Sequence, residues 1–322
     1  MAGRHLRDLI AAYGERDDLK FRRAAQEIIR EEEMKRHTVL AKELQHLLAS
    51  NGASFVTDGP VLPEPPVDRD SALPLARISR EDRRLSDLIL GPGTVRIVTE
   101  LLDEVRQWPR LDEAGITRRN RVLLYGPPGN GKTSLAAVLA SELGRPLVTV
   151  RVEGLISSYL GETAANLARL FEYASSGAFV LFLDEFDSIG KLRDDPSDHG
   201  ELRRVVNAVL QQIDNYSGSS LIVAATNHPN ILDAALWRRF DIVAELPLPT
   251  VTEMQRVIER SLPKRSRHLA SSYATELAGL PHAAGDFMAN AARRRALLRG
   301  SAEIELQDLD AASLETISRR WQ

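Results

Sequence analysis

The sequence predicts an α/β fold: a parallel β-sheet with helices on both faces, a smaller all-helical subdomain after it, and a small helical module before it. Between residues 79 and 248, short apolar runs alternate with segments of helical periodicity, which is the pattern of parallel strands buried on both faces. After Pro247 and Pro249 no further strand-like run occurs. The chain has 322 residues, 43% of them hydrophobic, so it contains enough apolar material for such a core.

Composition divides the chain into four predicted segments. They are an N-terminal helical module (1–50), a proline-rich linker (51–78), an α/β domain (79–248) and a helical lid subdomain (249–322). Apolar residues recur at helical spacing through the first segment, and the first proline of the chain is Pro60. Five prolines between Pro60 and Pro74 indicate a partly extended connection.

Each element follows from its own run of residues. In the α/β domain, β-rich apolar runs predict strands and amphipathic runs predict helices. In chain order these are helix 95–105, strand 121–125, helix 132–143, strand 147–150, helix 163–175, strand 179–183, helix 201–213 and strand 221–225. In the lid, helical periodicity predicts helices 252–260, 271–278, 285–298 and 306–320.

The composition also excludes several classes of function. The chain has no cysteine, which rules out disulfides, cysteine nucleophiles and cysteine-ligated metals. No run approaches 18 apolar residues, and the N-terminus lacks the apolar core of a secretion signal, so we expect a cytoplasmic protein that does not associate with membranes. The net charge of −3 provides no overall attraction to nucleic acid.

A glycine-rich segment, GPPGNGKT, satisfies the phosphate-loop pattern G-x-x-x-x-G-K-[ST]. It follows a predicted strand and opens a predicted helix, so backbone N–H groups and the helix N-terminus can face phosphates. In this motif the lysine, Lys132, contacts the β- and γ-phosphates, and the Thr133 hydroxyl ligates Mg²⁺. The alternative, a glycine-rich turn that binds nothing, does not account for this strand–loop–helix context. The candidate ATP-binding residues are Gly126, Pro127, Pro128, Gly129, Asn130, Gly131, Lys132, Thr133, Ser134 and Asp184.

Two adjacent carboxylates end the apolar run FVLFLDE. At the end of a buried strand beside a phosphate loop, Asp184 is placed to hold Mg²⁺ together with Thr133. Glu185 is placed to polarise the water that attacks the γ-phosphate. The alternative is that both acids cap the helix that follows; Asp187 is interpreted as such a structural or capping residue.

Taken together, these motifs resemble the AAA family of ring-forming ATPases over about residues 80–322. The run LIVAATN resembles the sensor-1 strand of that family, which implies that Asn227 contacts the γ-phosphate or the attacking water. The run ILDAALWRRFD resembles its arginine-finger region. Here Arg238 and Arg239 are adjacent, whereas the family usually has two more residues between its arginines. The sequence therefore leaves open which of the two reaches the nucleotide of a neighbouring subunit, or whether either is a surface arginine in a salt bridge.

The run SSYLGET resembles the central pore loop of the family, which implies that Tyr159 and Leu160 grip a polypeptide substrate. The alternative is a tyrosine packed in the core. Residues 191–200 are either a second pore loop or a solvated loop. The AAGDF turn at 283–287 has no arginine, unlike the DNA-associated relatives of the family, which argues against nucleic acid as a partner. The segment Leu85–Gly93 resembles the adenine-binding region only loosely.

The resemblance implies a homo-oligomeric ring, expected to be a hexamer, with ATP and Mg²⁺ as cofactors. Such a ring couples hydrolysis of ATP to ADP and phosphate to the remodelling or unfolding of proteins. A weaker resemblance, carried by the first 50 residues, is to small bacterial AAA ATPases encoded beside a subtilisin-like serine protease in defence or plasmid-maintenance pairs. Two alternatives stay open: a nucleotide-gated regulator or scaffold of a partner enzyme, and a nucleic-acid motor or loader.

Overall fold

The computed structural model describes residues 28, 64–68, 74–151, 160–188, 201–232, 234–301 and 303–321. The chain divides into two compact units, residues 1–64 and 65–322. Nearly all of the predicted N-terminal module, and most of the predicted linker, lie outside the described residues. The sheet and the helices named below belong to the second unit. None of its described helices is both long enough and apolar enough to cross a lipid bilayer.

Six strands form one sheet, in the order β1-β3-β4-β5-β2-β6. All neighbours are parallel except β1, which pairs antiparallel with β3 at the edge. The strands are β1 Arg77–Ser79, β2 Arg121–Tyr125, β3 Leu147–Arg151, β4 Val180–Asp184, β5 Leu221–Thr226 and β6 Ile242–Glu245. The predicted fold class is confirmed: a mostly parallel sheet alternates with helices and is followed by further helices.

Ten α-helices are described alongside this sheet. They are α1 Pro92–Arg106, α2 Trp108–Glu113, α3 Lys132–Glu142, α4 Leu160–Ser175, α5 Glu201–Asn215, α6 Ala234–Trp237, α7 Val251–Ser261, α8 Ala270–Glu276, α9 His282–Leu298 and α10 Leu306–Ser318. The helices and strands predicted between residues 95 and 320 all occur, with ends that differ by a few residues. The sequence interpretation missed β1, β6, α2 and α6, because a strand or helix of three to six residues is too short to show a period.

The central strands are buried because helices cover the sheet. The side chains of β5 are all buried, and α3 beside it buries every residue from Leu135 to Ala140. One apolar cluster joins α1, α3 and the central strands. A separate apolar cluster joins α7, α8, α9 and α10. Each part of the second unit therefore has its own core, and we refer to them as the body (residues 77–248) and the lid (residues 250–321).

The last part of the predicted linker is structured. Residues 77–79 form the edge strand β1, and Val67 bridges Pro74 in an isolated β-pair. Asp68 is buried and accepts a hydrogen bond of 2.6 Å from the Nδ2 atom of Asn166, a fully buried residue of α4. The segment before β1 is thus attached to the body, which the proline-rich composition alone did not indicate.

Candidate functional site

Three strand ends bring the candidate residues to one edge of the sheet. The phosphate loop follows β2, Asp184 is the last residue of β4, and Asn227 directly follows β5. Since β4, β5 and β2 are adjacent and parallel, their carboxyl ends open onto one cleft, the usual ligand position in such sheets. The cleft has a volume of about 440 Å³ and is lined by Leu88, Ile89, Leu90, Pro128–Ser134, Asp184, Glu185, Asn227, Val257, Arg260, His282, Ala283 and Asp286.

The phosphate loop wraps around the lysine ammonium. Lys132 is buried, and its Nζ atom donates hydrogen bonds of 2.7 Å to the Gly126 carbonyl and 2.9 Å to the Pro127 carbonyl. Burial lowers the pKa of Lys132 to about 8, against the opposing effect of Asp184 and Asp187. No side chain caps the N-terminus of α3, where Gly131 adopts a left-handed conformation. The free N–H groups of this first turn therefore provide the positive end of a helix dipole beside the ammonium.

The two carboxylates have different local settings. Asp184 is half-buried, and its Oδ1 atom accepts a hydrogen bond of 3.0 Å from the Glu185 backbone N–H. Glu185 has a φ of 55° and is the one non-glycine residue with positive φ in the part of the chain that the structure describes. The Phe186 N–H then donates to the Ala225 carbonyl of β5 at 2.8 Å. Backbone strain of this kind is concentrated at functional sites, and here it occurs at the residue nominated as the catalytic base.

Asp187 connects the β4 turn to the end of β5. It is buried, and its Oδ1 atom accepts hydrogen bonds from the Thr226 hydroxyl at 3.2 Å and from the Asn227 N–H at 3.4 Å. The sequence interpretation treated it as a structural or capping residue. The structure gives it a more definite position, since it fixes the backbone of the half-buried Asn227 at the wall of the cleft.

The lid contacts the phosphate loop directly at the start of α9. The Ala283 N–H donates to the Gly129 carbonyl at 3.1 Å, and the His282 N–H donates to the Asn130 Oδ1 atom at 3.2 Å. Asn130 also donates through Nδ2 to the Leu246 carbonyl at 3.2 Å. At Gly129, a Cβ atom would lie only 3.1 Å from that of Ala283. The small residues here allow loop and lid helix to meet backbone to backbone.

Four polar or charged side chains of the lid at or near the cleft were missed by the sequence interpretation: Glu253, Arg260, His282 and Asp286. The Nε2 atom of His282 is buried and has no hydrogen-bond partner among the described residues. Burial lowers the pKa of the imidazole, against the opposing charges of Glu253 and Asp286. The imidazole lies at the cleft, where a ring nitrogen can hydrogen-bond a polar ligand. Isolated residues on two separate helices gave the sequence no spacing signal.

Comparison with known proteins supports the interpretation of this cleft. Residues 122–248 match the model of the family described as ATPase family associated with various cellular activities (AAA). The chain is 40% identical over 261 residues to an uncharacterized AAA family ATPase, y4kL, of Sinorhizobium fredii, and this covers 80% of the chain and 77% of the relative. The chain belongs to the AAA family of ATPases. Its activity is accordingly the hydrolysis of ATP.

Two other relatives align with this AAA ATPase over a smaller share of their own length. The ATP-dependent zinc metalloprotease FtsH of Acidimicrobium ferrooxidans is 34% identical over 227 residues, which are 67% of the chain and 34% of the relative. The proteasome-activating nucleotidase of Pyrococcus abyssi is 34% identical over 234 residues, which are 62% of the chain and 58% of the relative. The chain thus spans about a third of the metalloprotease and somewhat over half of the nucleotidase.

The two candidate arginine fingers lie outside the cleft of their own chain and differ from each other. Arg239 is half-buried, and it donates to the Asp214 carboxylate at 2.9 Å and to the Ala235 carbonyl at 2.7 Å. Arg238 is exposed, and its side chain makes no hydrogen bond or ion pair to any described residue. The structure therefore places one arginine in an intrachain ion pair and leaves the other extended to solvent.

Of the two predicted pore-loop residues, Leu160 is among the described residues and Tyr159 is not. Tyr159 and the segment 191–200 lie outside the described residues. Leu160 is the first residue of α4, so the helix begins three residues before the predicted start at 163. The roles of Tyr159 and Leu160 stay predictions.

Proposed function

We propose that this ATPase forms a ring in the cytoplasm and couples ATP hydrolysis to the remodelling or unfolding of protein substrates. The single observation that carries the ring is the position of Arg238, which is exposed and outside the cleft of its own chain. A phosphoryl-transfer site commonly needs an arginine from outside to neutralise the transition state. Two relatives are named as a metalloprotease and a proteasome activator, which supports a polypeptide as the substrate.

In this proposal the phosphate loop holds the triphosphate. Residues 129–134 present backbone N–H groups, and the Lys132 ammonium binds the β- and γ-phosphates in place of its carbonyl partners. Thr133 and Asp184 would hold Mg²⁺, which would offset the negative charge of the phosphates. The donor set fits this ion, because a hydroxyl and a carboxylate are hard oxygen ligands and the remaining positions suit water and phosphate oxygens.

Hydrolysis then needs a polarised water on the γ-phosphate side. Glu185 accepts the proton of the attacking water, and Asn227 orients that water or the γ-phosphate through its amide. Both residues line the cleft together with Asp184. Asp187 holds the backbone of Asn227 in place. These assignments give each polar residue of the wall one task.

We assign the finger role to Arg238 and a positioning role to Arg239. Arg239 is tied to Asp214 and to the α6 backbone, so it fixes the turn from which Arg238 extends.

The variants Arg238→Ala and Lys132→Ala should each lack ATPase activity when assayed alone. Mixed together they should recover activity, because a Lys132→Ala subunit still supplies Arg238 to the intact cleft of its neighbour. Inactive mixtures at every ratio, from variants that still assemble, would refute an intersubunit site.

Substrate handling is tested at the pore loop. Tyr159→Ala should keep ATPase activity and lose the ability to unfold a fluorescent model protein with an unstructured tail, whereas Tyr159→Phe should retain it, since the grip is mostly apolar contact. Unfolding at the wild-type rate by Tyr159→Ala would contradict translocation through this loop. Intact regulation of a partner enzyme by the same variant would favour a nucleotide-gated regulator instead.

The partner proposal concerns a subtilisin-like serine protease in a bacterial defence or plasmid-maintenance pair. It rests on the layout of a short N-terminal segment, a proline-rich linker and one AAA module. Glu185→Gln protein with ATP should remain assembled and retain its partner on a sizing column. Recovery of no serine protease from the source cells with this trapped form would remove the protease from the proposal and leave the ATPase assignment intact.

A further inference from the structure

Hydrogen bonds between described residues join the lid to the body on two sides of the cleft. One is the contact of α9 with the phosphate loop, through Ala283 and His282. The other is made by Arg260, in the last turn of α7. Its Nη1 atom donates to the backbone carbonyl of Asp87, in the body segment that leads into the cleft wall at Leu88–Leu90. The second joint therefore lies beside the apolar lining and not at the phosphate loop.

Arg260 is held on the lid side by a second contact. Its Nη2 atom donates to both carboxylate oxygens of Asp286, each at 3.2 Å. Asp286 also accepts a hydrogen bond from the Ser261 hydroxyl, so the carboxylate is fixed between α7 and α9. One guanidinium thus spans from a lid carboxylate to a body carbonyl, which its planar fork of donors permits and a lysine ammonium imitates poorly.

The neighbourhood suggests which part of the nucleotide lies beside this joint. Leu88, Ile89, Leu90 and Val257 supply the apolar surface of the cleft, whereas Lys132 marks the phosphate end. A nucleobase is the apolar part of ATP, so it fits the Leu88–Leu90 side. Breaking the Arg260 contact would widen the cleft at its nucleobase end and leave the contacts with the phosphates unchanged.

We propose that Arg260 is a positioning residue that latches the lid to the 85–90 segment of the body and thereby slows the release of bound nucleotide. This rests on the cleft being the ATP site, as proposed above. The latch is half-exposed, with side-chain exposures of 43% for Arg260 and 39% for Asp286, so its effect should be moderate and should weaken with salt.

The test is the dissociation rate of a ribose-labelled fluorescent ADP, chased with unlabelled ADP in the presence of Mg²⁺. Arg260→Ala should release the nucleotide about 5- to 10-fold faster, as expected for loss of charge-assisted hydrogen bonds at a partly exposed site. Asp286→Asn should have a smaller effect, because the bond to the Asp87 carbonyl remains. The effects of the two substitutions should be non-additive in the double variant. Arg256→Ala, an exposed arginine on the same helix, is the matched control and should release at the wild-type rate.

Inorganic tripolyphosphate distinguishes a latch at the nucleobase end of the cleft from a general disturbance of the site. It would occupy only the phosphate loop, so its inhibition constant for the binding of labelled ADP should be the same for wild type and Arg260→Ala. An unchanged ADP release rate in Arg260→Ala, or an equal loss of tripolyphosphate binding, would overturn the latch. Failure of the wild-type protein to bind ADP would instead refute the assignment of the cleft, so the two failures are distinguishable.

Discussion

The body and the lid contribute to the cleft in different ways. In the body, the candidate residues fall in short runs at the ends of parallel strands of one sheet, 126–134 after β2 and 184–185 at the end of β4. In the lid, Arg260 and His282 come from two helices separated by α8, and they meet only because α7 and α9 pack together. The body thus supplies chemical groups whose geometry a strand and its turn determine locally. The lid supplies groups whose positions depend on helix packing.

This difference predicts two kinds of variant. Substitutions of cleft residues from the body should alter the chemical step or phosphate binding and leave folding largely intact. Substitutions of lid residues at or beside the cleft should alter nucleotide retention or stability and leave the chemical step largely intact. A variant of a body cleft residue whose only defect is stability, or a variant of a lid cleft residue that abolishes turnover while binding ATP normally, would break the comparison.

The largest effect is expected at Glu185. Glu185→Gln removes the proton acceptor and should lower kcat by about 10²- to 10⁴-fold while ATP binding is retained. Single-turnover hydrolysis with a separate equilibrium binding measurement distinguishes the two steps. Asp187→Asn is a useful comparison, since it should act more weakly through Asn227. Wild-type turnover by Glu185→Gln would remove Glu185 from the mechanism.

The next largest effect is expected for the phosphate-loop lysine. Lys132→Ala removes a buried cation that is placed to bind phosphates, and affinity for Mg-ATP should fall by roughly 100-fold or more. Calorimetry or fluorescence titration measures this directly. Circular dichroism should show an unchanged fold, because burial already disfavours the charged ammonium in the nucleotide-free state.

The same lysine predicts a dependence of binding on pH. Burial holds the pKa of Lys132 at about 8 in the free protein, and bound phosphates favour the protonated form. Affinity should therefore be flat below pH 8 and fall as pH rises above it, by up to about tenfold per pH unit. Proton uptake on binding above pH 8, measured in two buffers, checks the sign. Affinity that rises with pH in this window would contradict the assignment.

The smallest effect is expected from helix packing in the lid. A Cβ atom at Gly285 would lie 2.8 Å from the Met254 sulfur and 2.9 Å from Val257 Cγ1, so Gly285→Ala should destabilise the protein by about 1–3 kcal/mol. At Gly93 in α1 nothing lies within 4 Å, and Gly93→Ala should be neutral or stabilise by up to about 1 kcal/mol. Urea unfolding measures both, and destabilisation of similar size at the two positions would contradict this packing argument.

Much of the body could be predicted because its information is local. The strand 121–125 and the start of α3 at Lys132 match the prediction, since a buried parallel strand is a continuous apolar run and the phosphate loop is a contiguous motif. The short edge strand β1 could not be predicted, because its three residues gain their structure from pairing with β3. Asp68, in the proline-rich segment, is likewise buried in the folded chain, where it accepts a hydrogen bond from Asn166 of α4.

By itself, the sequence determined the fold class, the order of its main elements and the phosphate-loop and carboxylate motifs of an ATPase. Only the tertiary structure decided that Arg239 is tied to Asp214 while Arg238 extends outward, that Asp187 fixes Asn227, and that Arg260 joins the lid to the body. The physical reason is that motifs and periodicity are properties of neighbouring residues. A hydrogen bond between residues 173 positions apart exists only after the helices and strands have packed.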